Sequence, residues 1–103
     1  MILHEWLGGE GPPPPPALAR RIAELAAPFD ASPGDAPQRY LMAAEAALRR
    51  LVQAGPATRA SALDLLAIDA LVTYAFEVAT AEPDRLVPFA REAMVRLAAV
   101  RAS

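Results

Sequence analysis

Cysteine is absent from the 103 residues, and histidine occurs once, at position 4. The first absence removes disulfides, thiolate nucleophiles and cysteine-based zinc sites; the second removes any multi-histidine metal centre. Lysine is missing too: all ten basic residues are arginine, set against twelve acidic ones for a formal charge of −2. A chain that grips phosphate backbones is ordinarily basic, so no nucleic-acid partner is expected. No segment alternates apolar and polar residues with β-branched enrichment, so no sheet is expected. The N-terminal residues show neither a basic region nor a long apolar one, and no secretory signal is read there. The longest apolar stretch, residues 63–81, carries Asp64, Asp69 and Glu77. Each is costly in hydrocarbon, so the stretch reads as a soluble helix and not a membrane span. The location expected from these absences is the cytoplasm, and the arginine-only, alanine-rich composition points to a bacterial source.

What is present is apolar and helical. Hydrophobic residues make up 54% of the chain and charged residues 21%, enough apolar surface to offset the entropy of folding one small domain. The expected fold is all-α: a small four-helix bundle over residues 16–103, preceded by a short N-terminal arm and a polyproline strap over residues 1–15. In the arm, Ile2, Leu3, Trp6 and Leu7 form an apolar cluster that ends at Gly8-Gly9. Five prolines, 12 to 16, then form a stiff polyproline II spacer that sets its ends roughly 15 Å apart.

The first helix is placed from Pro16 to about Ala27, with Leu18, Ile22 and Leu25 as its apolar stripe. The second is placed from Asp35, an N-cap whose capping box Gln38 completes, to Ala54, where Gly55-Pro56 stops it. Its buried stripe is Leu41, Ala44, Leu48, Leu51 and Val52. The third is placed from a cap at Thr58 or Ser61 to about Ala81. Leu63, Leu65, Leu66, Ile68, Leu71, Val72, Tyr74, Phe76 and Val78 surround most of its circumference, which predicts burial nearly all round. The fourth follows Glu82-Pro83-Asp84, and Pro88 predicts either a separate first turn or the true helix start. Phe89, Ala90, Ala93, Met94, Leu97, Ala98 and Val100 are expected to face inward, with Met42 and Met94 as core fillers.

The candidate binding residues are Asp69, Thr73 and Glu77, the polar strip of this otherwise apolar third helix. Two carboxylates there would serve a cation or acid–base chemistry, yet their Cα atoms lie about 12 Å apart along the axis. One ion would need ligands from other helices as well, so the plainer reading is the edge where the helix meets water. Asp69, among Leu65, Leu66 and Val72, is expected to be partly buried. Arg49-Arg50, with Arg39 and Arg59 nearby, would suit a phosphate or carboxylate, but without a glycine-rich loop they read as a solvated face. His4 reads as a surface residue. Leu51 to Asp64 has the outline of a helix-turn-helix, but the second helix lacks the exposed polar N-terminal side chains that read bases. The segment Ile68-Asp69-Ala70-Leu71-Val72-Thr73-Tyr74-Ala75-Phe76-Glu77 resembles a core helix of trans-isoprenyl diphosphate synthases. The Asp-rich substrate motifs of that family are absent and the chain is far too short for its fold, so the resemblance implies no activity.

The expected function is a non-enzymatic interaction module, self-associating or a subunit of a larger bacterial complex, because three neighbours shield a central helix only partly. Trp6, Leu7, Tyr74 and Phe76 are its candidate interface residues. The alternative is a small-molecule-binding or catalytic bundle that uses the acidic strip. No cofactor or metal is implied.

Overall fold

A computed structural model describes residues 14–55 and 58–102, with the side chains of 101 and 102 outside the description. The arm, with His4, Trp6 and Leu7, and the start of the proline run lie outside the described residues. Within them the chain forms four α-helices and no strand: α1 (Pro16–Ala26), α2 (Ala36–Gln53), α3 (Arg59–Ala79) and α4 (Pro83–Ala102). The all-α bundle read from the sequence is the fold observed.

Local chemistry explains where the helices begin and end. Pro15 precedes α1 and Pro16 opens it, where a missing N–H forgoes no helical bond. Past Ala26 the chain tightens into a 3-10 turn, Ala27–Phe29, around Pro28. The cap of α2 is reciprocal: the Gln38 N–H donates to Asp35 Oδ1 at 3.2 Å, and the Asp35 N–H donates to Gln38 Oε1 at 3.3 Å. Gly34 makes room for this exchange. It has φ of +109°, and a Cβ there would stand 2.6 Å from Gln38 Oε1. After α2, Gly55 takes φ of +92°, the left-handed exit that glycine permits. Thr58 caps α3, accepting from the Ser61 N–H at 3.1 Å, while Ser61 Oγ accepts from the Thr58 N–H at 2.6 Å.

The core forms where α2 and α3 pack as an antiparallel hairpin. Ala43, Ala44 and Ala47 of α2 and Ala67, Ala75 and Ala79 of α3 are buried, so small side chains line the seam and the backbones approach closely. Ile22 of α1, Leu41 and Leu71 complete it, each fully buried. α1 is tied to α3 by Arg21, which donates from Nε to Asp64 Oδ1 at 2.6 Å and from Nη2 to Oδ2 at 3.2 Å. That fork-on-carboxylate bond outweighs partial burial and raises the Arg21 pKa above its ordinary value. α4 is tied to α2 by Arg85–Asp35 at 2.7 Å and Arg96–Glu45 at 3.5 Å. These bridges are spaced eleven residues apart on one helix and ten on the other, so α4 runs alongside α2 in the same direction. Phe89 meets Phe76 of α3 edge to face, centroids 5.1 Å apart at 66°.

Four expectations fail. α3 is not buried all round: Leu65 and Leu66 are 54% and 56% exposed, and Asp69 is exposed beside them. The uncovered residues form one continuous face: Leu65, Leu66, Asp69, Thr73 and Glu77 fall within about 120° of arc, and α1, although it reaches Asp64 beside them, packs on another side of the helix. Val52, assigned to the buried stripe of α2, is 53% exposed near that helix's end. On α4, Met94 is 71% exposed and Ala98 is exposed, so neither faces the core. Nor does Pro88 begin or divide a helix; it sits inside a continuous α4 that starts at Pro83. The bond it forgoes would reach the Asp84 carbonyl in the first turn, and both residues are exposed, so that oxygen is not stranded in the core.

Candidate functional site

Asp69, Thr73 and Glu77 lie on the exposed face of α3, four residues apart in each step. Thr73 Oγ1 donates to the Asp69 carbonyl at 2.9 Å, and one turn on Thr80 Oγ1 donates to the Glu77 carbonyl at 2.6 Å. The hydroxyls are thus turned back on their own helix instead of outward. No other helix sends an arginine to either carboxylate among the described residues. No group of three or more His, Asp or Glu side chains among them is placed to hold a metal ion. The strip stands together as a row on one helix.

Tyr74 and Phe76, read as interface candidates, are half-buried and pack against the core cluster. Burial raises the Tyr74 phenol pKa, and the nearby Glu77 charge adds to the rise. Phe76 spends its ring on Phe89. Trp6 and Leu7 fall outside the described residues. Among the arginines singled out, Arg49 pairs with Glu45 at 3.1 Å and Arg39 donates to the Gly34 carbonyl at 2.7 Å, so each braces its own helix or the turn before it.

Two features escaped the sequence reading. One is a row of large apolar side chains facing out from α4: Val87, Met94 and Val95, 57%, 71% and 70% exposed. At 100° per residue, Asp84, Val87, Pro88, Arg91, Met94, Val95 and Ala98 fall within about 120° of arc, and all seven are exposed. α4 therefore carries apolar residues on two faces: Phe89 and Ala93 inward, the Val87–Val95 row outward. The alternation of steps of three and four from 84 to 98 was a signal in the sequence, but Met94 and Ala98 read equally well as core.

The other feature is a cleft of about 390 Å³ where the N-terminus of α2 faces the α3–α4 turn. Pro37, Val78, Ala79 and Phe89 line its apolar part; Asp35, Glu82, Asp84 and Glu92 add carboxylates and Arg85 the one guanidinium. Arg85 bridges Asp35 and, at 3.0 Å, Glu82, and its hydrogen bond to Glu82 is the main cause of its raised pKa. These residues come from two stretches of chain, 35–38 and 78–92, and nothing in the sequence joins the two before the chain folds. No protein-family model, characterised protein or solved structure matches the chain.

Proposed function

We propose that this protein is a small non-enzymatic interaction module that associates with itself or serves as a subunit of a larger assembly, in the cytoplasm of a bacterium. The observation that supports this reading is the apolar surface left on α3 and α4, where Leu65, Leu66, Val87, Met94 and Val95 are each more than half exposed. Single exposed leucines are ordinary, whereas apolar side chains grouped along a helix face on a small monomer mark contact surfaces. No helix among the described residues is long and apolar enough to cross a membrane. The acidic balance of the chain disfavours a nucleic-acid partner.

A second reading, a ligand-binding bundle, draws support from the cleft and not from the Asp69–Glu77 strip. Its apolar part and excess of carboxylates suit a small organic cation with a hydrocarbon body. Native mass spectrometry of the protein purified from its own host separates the two. The first reading expects masses at integer multiples of the 10.9 kDa chain, or a heteromeric complex. A monomer carrying a stoichiometric small molecule supports the second and contradicts the first.

A further inference from the structure

We infer that the outer face of α4 is the self-association surface and that a second copy docks on it with its α4 antiparallel. This inference rests on the interaction-module reading and assigns it a partner and a geometry. The face holds the three most exposed large apolar side chains among the described residues, Val87, Met94 and Val95. It also holds one acid, Asp84, and one base, Arg91, that have no ion-pair partner among the described residues. Neighbouring Arg85 and Arg96 are, by contrast, engaged with Glu82, Asp35, Glu92 and Glu45.

Asp84 and Arg91 are seven residues apart, two turns or about 10 Å along one face. A parallel pairing of two such helices would set Arg91 against Arg91 and Asp84 against Asp84. An antiparallel pairing centred between them brings Arg91 of each copy to Asp84 of the other, twice about the two-fold axis, with Val87 enclosed. Met94 and Val95 then cover the partner's exposed α3–α4 turn. The face is thus complementary to itself in charge, with Val87 and Pro88 at its centre and Met94 and Val95 at its ends. The outward strip of α3 is not: beyond Leu66 it turns polar at Asp69, Thr73 and Glu77. One helix pair buries less than the ~800 Å² per partner of a standard interface, the size class of weak, reversible contacts, so association is sought across the micromolar concentration range.

The test is sedimentation equilibrium of the full chain across that range, with reversals at two exposed positions. Arg91→Asp alone and Asp84→Arg alone each create like-charge contacts at both symmetry-related sites and should weaken the dimer about tenfold or more. The double variant Asp84→Arg/Arg91→Asp exchanges the charges and should restore dimerisation to near the wild-type value. Far-UV circular dichroism confirms that each variant stays helical. A dimer indifferent to both single reversals, one not rescued by the double, or one dissolved by Leu66→Glu instead, overturns this surface while leaving self-association standing. A wild type that stays monomeric at every concentration overturns both.

Discussion

The α2–α3 hairpin and α4 solve the same problem differently. In the hairpin, buried alanines on both helices let the backbones close, and large residues such as Leu41 and Leu71 are completely enclosed. α4 buries a narrower set, Phe89, Ala93 and Val100, and turns Val87, Met94 and Val95 to water. It is held partly by ion pairs at its flank, Arg85–Asp35 and Arg96–Glu45, all with side chains about a quarter to three-fifths exposed. The seam of the hairpin is thus a finished interior, whereas α4 has one satisfied face and one available face. Small residues close the seam between α2 and α3 although Leu65 and Leu66 stay open on the far side of α3; a helix with two apolar faces and one neighbour layer must leave one outside.

The most severe way to probe this contrast is a pair of truncations. Leu71→Ala, in the closed seam, should lower unfolding free energy by about 2–5 kcal/mol in a denaturant melt, since it removes a fully buried side chain and leaves a cavity. Met94→Ala, at 71% exposure, should change it by no more than about 0.5 kcal/mol at concentrations where the chain is monomeric. Equal losses would erase the distinction between the two regions. Next in size is Ala75→Leu. If α2 and α3 approach as closely as their buried alanines imply, the added side chain should overpack the seam and lose about 1–3 kcal/mol. A neutral or stabilising result would show slack between the helices.

A smaller effect is expected at the junction of the two regions. Asp35→Ala removes the cap of α2 as well as the Arg85 contact, and should lose about 1 kcal/mol, chiefly from the cap. Asp35→Asn keeps a capping oxygen and should recover most of it. The smallest effect is expected on the outward strip of α3. Asp69→Asn with Glu77→Gln strands no buried partner, so stability should move by less than about 0.5 kcal/mol. Divalent metal should leave the Tm of wild type and variant alike. A metal-induced rise confined to the wild type would make the strip a cation site after all.

The ends of the hairpin helices were legible in advance, as were α4 and its buried Phe89, Ala93 and Val100; the outer faces of α3 and α4 were not. Asp35 and Gln38 announce a capping box, Gly55 a left-handed exit, and the Ala/Leu spacing of α2 a single inner face; each is a local signal with one structural answer. α4 offered two apolar stripes of similar strength, and choosing between them depends on where α2 and α3 lie, which no local pattern encodes. Pro88 misled because the rule against interior proline presumes that the i−4 carbonyl is buried. Here that carbonyl is in the first turn, with Asp84 and Pro88 both exposed. Leu65 and Leu66 misled because apolar periodicity reports what a helix face prefers and not which of its sides a neighbour covers. The Asp69, Thr73 and Glu77 face was placed correctly on one side of α3, but Asp69 proved more exposed than its apolar neighbours suggested, because those neighbours are exposed too.

The central proposal is that a second copy of the chain covers the surface left open on α4. Sedimentation equilibrium of the full-length wild-type chain measures this most directly. The account predicts an average mass that climbs from 10.9 kDa toward twice that value as concentration rises through the micromolar range. A mass fixed at 10.9 kDa throughout, with Met94 and Val95 still open to solvent, would contradict it.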